Sequence, residues 1–143
     1  MTVESILSQK GSEVATIAPD ASLKTAADWL RAKNIGALVV TSGDSILGII
    51  AERDIVRAFS QYGQHLTSMF VKDIMVQVLI TVKPDDDLDQ AMRLMTHYHA
   101  RHLPVVHNRK LAGIISIGDV VKHRLHDLQM EADILRGAYI ARH

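Results

Sequence analysis

The chain repeats itself at a constant offset, and this limits its fold more than any single motif. The string T-I-A-P-D-A-S-L from Thr16 returns as T-V-K-P-D-D-D-L from Thr81, and G-I-I-A-E-R-D from Gly48 returns as G-I-I-S-I-G-D from Gly113, both 65 residues on. No gap is needed between these anchors, so Ala26 aligns with Ala91, Leu30 with Met95, Leu38 with Leu103 and Val40 with Val105. A repeat held in register in this way marks two copies of one supersecondary unit. Upstream, V-E-S-I-L from Val3 answers V-K-D-I-M from Val71 only if the first copy carries three extra residues before Val14, in the stretch holding Lys10 and Gly11.

Each copy predicts the same elements. A short extended piece, residues 15–17 or 79–82, ends at an X-Pro step that disfavours helix before it. Ser22 is a candidate N-cap, and Leu23, Ala26, Ala27 and Leu30 fall on one helical face, as do Leu88, Ala91, Met92 and Met95. Two apolar runs follow, 37–40 and 46–51 around S-G-D, then 103–106 and 111–116 around H-N-R-K, which read as hairpins. Asp54 and Asp119 are expected to open second helices, where a carboxylate suits the helix dipole.

The order is strand, helix, strand, strand, helix, twice. One unit of about 60 residues buries too little to be secure alone, so the two copies are expected to pack about a pseudo-twofold axis. The expected boundaries are a first repeat over 1–64, a connection over 65–70, a second repeat over 71–128 and a helical tail over 129–143 that ends near Gly137.

Sixteen basic and sixteen acidic residues leave no net charge, so there is no overall basic field and nucleic acid is not expected as a partner. The absence of cysteine excludes a disulfide framework, thiol catalysis and a Cys-ligated metal, and fits a reducing compartment; a cytoplasmic location is the expectation. No run approaches the roughly 18 apolar residues of a membrane span. Residues 1–10 are polar and mixed, unlike a signal peptide, so neither a membrane partner nor a cleaved leader is expected.

The ordered set V-x-D-I-M, T-V-x-P-D-x-x-L, R-H-L-P-V-V and G-I-I-S-x-x-D resembles the CBS domain, named after cystathionine β-synthase; two in tandem make a Bateman module. The resemblance covers nearly the whole chain. The first-copy strings K-G, I-G-A-L-V-V and A-E-R-D-I-V-R are similar to the compact bacterial stand-alone members. The resemblance implies an α/β (α+β) fold of two CBS repeats and a sensor that binds AMP, ATP, related adenosyl ligands or NAD(H) in clefts between the copies. It also implies disks built from two chains, hence a homodimer signalling through its conformation to an unidentified effector, and no catalysis.

A nucleotide needs an apolar slot for its base, an acceptor for the ribose hydroxyls and donors for phosphate. In the second copy Asp119 can take the ribose and Ser116 the phosphate; Arg101, beside His102, can add a charge-assisted phosphate contact, with Thr81, Val82, Lys83, Leu103 and Pro104 flanking adenine. In the first copy Asp54 is the ribose acceptor and Arg53 the phosphate donor, with Arg57 nearby. Thr16, Ile17, Ala18, Ile35, Gly36 and Ala37 surround the base, and Lys10 and Gly11 close over the phosphates. Position for position, Ser116, Gly118 and Arg101 become Ala51, Arg53 and Gly36. The first cleft is therefore expected to favour ATP or a dinucleotide, and the second AMP.

Plainer roles compete. Asp54 and Asp119 can be helix caps alone, and Trp29 and Tyr98 read as core or interface. His97, His99, His102 and His107 share no ligand spacing with a carboxylate, so no metal is expected. Gly48 and Gly113 suggest close backbone approach, of the twin copy or of ligand. A phosphatase or nucleotide hydrolase would need a nucleophile, base and orienter that the motifs do not assemble. A nucleotide-independent dimerisation scaffold is the other alternative. Val56, Phe59, Val121 and Leu125 on the second helices offer more apolar surface than one pair needs.

Overall fold

The computed structural model describes residues 1–78 and 80–142. Leu79, in the extended piece expected before Thr81, and His143, the last residue of the expected tail, lie outside the described residues.

The repeat survives as a repeat of local geometry. Helix α2 (Leu23–Lys33) starts where the Ser22 hydroxyl accepts the Thr25 N–H at 3.0 Å, and α5 (Leu88–Tyr98) where Asp87 accepts the Asp89 N–H at 3.3 Å. Both end on a left-handed residue, Asn34 and His99, with φ of 52° and 53°. Their buried faces are Leu23, Ala26, Leu30 and Leu88, Ala91, Met95; Met92, expected on that face, is exposed.

Strands β2 (Ala37–Ser42) and β3 (Ser45–Ala51) form one hairpin, and β5 (His102–His107) and β6 (Lys110–Ser116) the other. Ala37 faces Ala51 as His102 faces Ser116, and each ladder shifts at the same place, after Val40 and after Val105. The second turn holds Asn108 and Arg109 at φ of 52° and 64°, the positive pair that a tight hairpin twist demands. Strand β1 (Thr16–Ile17) lies parallel to β2, pairing Ile17 with Val40, and Val82 bridges Val105 in the same sense.

The two cores are not built from contiguous stretches. Helix α1 (Val3–Lys10) inserts Val3, Ile6 and Leu7 among Val82, Leu88, Leu103, Val105 and Ile115 of the second repeat. The Val3 and Glu4 N–H groups donate to the Asp86 and Pro84 carbonyls. In return α4 (Val71–Ile74) places Val71 among Ile17, Leu23, Leu38 and Ile50 of the first, and β4 (Val76–Gln77) pairs antiparallel with β3. One sheet therefore has the order β1-β2-β3-β4 and the other is the β5-β6 pair.

Between the halves, α3 (Glu52–Tyr62) leads through a 3-10 turn, Gly63–Ser68, into the crossing segment. Helix α6 (Ile117–Arg142) runs past Gly137, where an end was expected. A terminating glycine needs positive φ, and Gly137 is not among the positive-φ glycines Gly11, Gly43 and Gly63. Among the described residues no helix is long and apolar enough to cross a membrane.

The crossing segments explain the paired glycines. A Cβ on Gly48 would lie 2.7 Å from the Val76 carbonyl oxygen, and one on Gly113 would lie 2.6 Å from a Leu7 methyl. The close approach is by the chain itself, backbone in one copy and a flexible side chain in the other. Gly48→Ala is expected to cost about 1–3 kcal/mol by forcing β4 off β3, and Gly113→Ala distinctly less because Leu7 can turn. Urea midpoints for the two variants check this, and equal losses would mean that β4 is not held as described.

Candidate functional site

The two aspartates of the repeat hold equivalent local positions. Helices α3 and α6 begin at Glu52 and Ile117, so Asp54 and Asp119 stand at the third helical residue; neither is the first. From there each carboxylate reaches back to an N–H at the strand end: Asp54 Oδ2 accepts from Ala51 at 2.8 Å, and Asp119 Oδ2 from Ser116 at 2.9 Å. The Ser116 hydroxyl returns the contact by accepting the Asp119 N–H at 3.0 Å. This satisfies amides that a helix start leaves without partners, which is why both helices open earlier than expected.

Asp54 faces a cleft of 610 Å³ between the repeats, within the size range of small-molecule sites. The first repeat contributes Ile49, Ala51, Arg53, Asp54 and Arg57. The crossing segment contributes Val76, Gln77, Val78 and Ile80. The second repeat adds Arg101, His102, Leu103 and Pro104, with Thr96, Tyr98 and His99 at the end of α5.

An aliphatic wall from Ile49, Val76, Val78, Ile80 and Leu103 stands beside polar Gln77, Thr96 and His99 and the charged Arg53, Asp54, Arg57 and Arg101. Among the described residues no carboxylate lies within ion-pair distance of Arg53, Arg57 or Arg101. Arg53 is exposed, and its pKa is lowered from the ordinary value by desolvation first, then by the like charges of Arg101 and Arg57, with Asp54 pulling the other way. Three guanidiniums and one carboxylate thus line one cleft, an arrangement suited to an anion that also carries hydroxyl donors. No group of three His, Asp or Glu among the described residues is placed to hold a metal.

The CBS domain family profile matches residues 3–61 and 71–126. The chain belongs to the CBS-domain family. The crystal structure of the CBS-domain containing protein ATU1752 from Agrobacterium tumefaciens is 43% identical, covers 87% of this chain and 99% of that one, and superposes with a TM-score of 0.81. CBSX2, crystallised in complex with AMP, is 25% identical, with 87% and 96% covered and a TM-score of 0.69. Among curated relatives, the mitochondrial CBS domain-containing protein CBSX3 of Arabidopsis thaliana is 41% identical over 112 residues, which are 75% of this chain. The matched region spans only 54% of CBSX3.

The crossing of the CBS repeats redistributes the residues singled out in the sequence. Arg53, Asp54 and Arg57 share their cleft with Arg101, His102, Leu103 and Pro104, so the arginine expected in a second cleft joins the first. Thr16, Ile17, Ala18, Ile35, Gly36 and Ala37 do not line it. Ile17 is core, and the Gly36 carbonyl takes the Glu52 N–H at 3.1 Å. Thr81, Val82 and Lys83 also stand outside it: Val82 is core, and the Lys83 N–H donates to Asp86 Oδ2. Gly11, at φ 95°, only ends α1.

Lys10 is not beside Asp54. Its ammonium donates to Asp119 Oδ2 at 2.7 Å and to the Ile114 carbonyl at 2.9 Å, so Lys10, Ser116 and Asp119 form a separate cluster. The wall residues Val76, Gln77, Val78, Ile80 and Thr96 escaped sequence reasoning, and His99 entered it only among the histidines weighed for a metal. The short V-Q-V string before Leu79 was the one available signal, and it resembles any brief extended run. Tyr98, expected in core or interface, is half-exposed at the cleft and stands edge-on to His97.

His102 connects the two clusters. Burial lowers its pKa first and the Lys10 charge next, against the pull of Asp119 and Asp54, with Arg101 lowering it further; it is neutral at neutral pH. At Asp119, burial pushes the carboxyl up, but the Lys10 hydrogen bond, the Ser116 amide, the Lys10 charge and the Ser116 hydroxyl outweigh it and hold the group below its ordinary value.

Both folded-state values are depressed, so the unfolded chain takes each proton first and stability is lost as the pH is lowered. His102 should cost stability as pH drops below about 6.5, and Asp119 only below about 4. Urea unfolding across pH should therefore show His102→Gln losing less than wild type between neutrality and pH ~5, and Asp119→Asn losing less only in the acid range below that. Parallel wild-type and His102→Gln curves over the first interval would contradict the assignment of His102.

Proposed function

We propose that this CBS pair is a regulatory module that binds an adenine nucleotide, AMP, ATP or NAD(H), in the cleft shared by Asp54, Arg53 and Arg101. The carrying observation is one carboxylate, Asp54, sharing a cleft with three guanidiniums, Arg53, Arg57 and Arg101, beside the aliphatic Ile49, Val76, Val78, Ile80 and Leu103. Ile49, Val76, Val78 and Leu103 offer a slot for the base. Asp54 Oδ2 is used by the Ala51 amide, and Oδ1 has no hydrogen-bond partner among the described residues, so it can accept from ribose hydroxyls. Arg53 and Arg101 supply charge-assisted donors to phosphate.

The similarity to CBSX2, crystallised with AMP, supports this reading. Three guanidiniums in one cleft also accommodate the larger phosphate charge of ATP, or NAD(H), and titration ranks the three ligands. The lining pairs no nucleophile with a base, so binding and signalling to an effector protein, without turnover, is the activity we assign, in the cytoplasm.

Asp54→Asn keeps an acceptor for the Ala51 amide while removing the charge, which separates ligand binding from helix capping. It is expected to weaken AMP by about 1.5–3 kcal/mol, roughly ten- to a hundredfold, and Arg53→Ala by a similar amount. Calorimetry checks this. Unchanged AMP affinity in both variants, with intact circular dichroism, would overturn the assignment of the cleft.

The module is expected to act as a homodimer. Helix α3 exposes Val56 and Phe59 at 67% and 63%, and α6 exposes Val121, Leu125, Leu128 and Leu135, a sequence of four- and three-residue steps once Ala132 is included. That is the spacing of a helix seam that seeks a like partner. Sedimentation should give a dimer for the wild type and a shift toward monomer for Leu125→Glu and Phe59→Glu. A monomeric wild type, with and without AMP, would rule the dimer out.

A further inference from the structure

We infer that Lys10 occupies the position in the second repeat that a nucleotide takes in the first, and so sets how many nucleotides one chain can hold. The inference rests on the reading of the Asp54 cleft as a nucleotide site. By the constant offset, the counterparts of Ile49, Ala51, Arg53 and Asp54 are Ile114, Ser116, Gly118 and Asp119. The second repeat thus has the strand end and the carboxylate of a binding site, but glycine in place of the guanidinium.

The crossing segments decide the difference. In the first repeat the outer edge of β3 is covered by β4, with Ile49 opposite Val76 and the Val78 N–H directed to the Leu47 carbonyl. The segment crossing to the second repeat is helical for longer: α1 has 8 residues where α4 has 4. Among the described residues β6 has no strand partner on that edge, only β5 on the other. Leu7 packs on Gly113, and the Lys10 ammonium takes the Ile114 carbonyl that a strand would otherwise have faced.

Aligning Val3 with Val71 sets Lys10 at the place of Val78, a wall residue of the open cleft. There the wall is an aliphatic side chain that leaves Asp54 free. Here it is an ammonium 2.7 Å from Asp119 Oδ2, with the two side chains 34% and 25% exposed. A ribose hydroxyl would have to displace a charged donor already in contact, and phosphate would find Gly118 where the open cleft has Arg53. The crossing segment therefore closes the second site with a side chain of the chain itself.

The test is the stoichiometry of AMP on the full chain by calorimetry. Wild type is expected to bind one equivalent, and Lys10→Met two, the new step on the order of tenfold or more stronger than any second step in wild type. Lys10→Gln, uncharged but still able to donate to the Ile114 carbonyl, should behave as Lys10→Met, which guards against damage to α1. Adding Asp119→Asn to Lys10→Met should remove the new step alone. Two equivalents in wild type, or no added step in either Lys10 variant, overturns the inference. Failure of the underlying reading looks different: Asp54→Asn would then leave the first step intact, while the comparison of wild type with the Lys10 variants still decides the role of Lys10.

Discussion

Everything in this molecule depends on the exchange of crossing segments between the two repeats. Val3 and Leu7 complete the core of the second copy, and Val71 and Met75 complete that of the first. Each unit is too small to bury a sufficient interior alone, and the exchange makes each core depend on chain from the other side. It also sets the connection between the halves against the open edge of β3. The residues that follow, Val76 to Val78 and then Ile80, become a wall of the cleft. Cleft and fold are thus consequences of one packing event.

The carboxylates serve two purposes at one place. A capping contact needs a side-chain oxygen at the third helical residue, turned toward the strand end, and the same geometry points a charge at the space between repeats. At Asp54 that charge shares a cleft with arginines that have no carboxylate within ion-pair distance among the described residues; at Asp119 it meets Lys10. Twin backbone geometry therefore carries opposite electrostatic states. The crossing segments differ by a few residues, and Gly118 stands where the first copy has Arg53; together these make the copies unlike.

His102 lies where these two states meet. Its imidazole is held neutral chiefly by burial and then by the Lys10 charge, while both aspartates oppose this. A change at either carboxylate alters the field at this ring, so the two clusters are electrostatically coupled even though only one of them lines the cleft.

The repeat determined a great deal without any structure: the offset, the two hairpins, the Ser22 cap, and the buried faces of α2 and α5 apart from Ala27 and Met92. These depend on local spacing, turn chemistry and side chains within a few positions of one another, which a linear string records. The partnership of Arg53 with Arg101, of Lys10 with Asp119, and of Val76 to Val78 with the cleft was decided by tertiary structure alone. Each joins residues from different repeats through the crossing segments, and hydrophobic spacing tells which side of a helix is buried but not against which core. The insertion at Lys10 was visible as three extra residues. Only the longer helix of that crossing segment, packed on the opposite repeat, brings the Lys10 charge to Asp119.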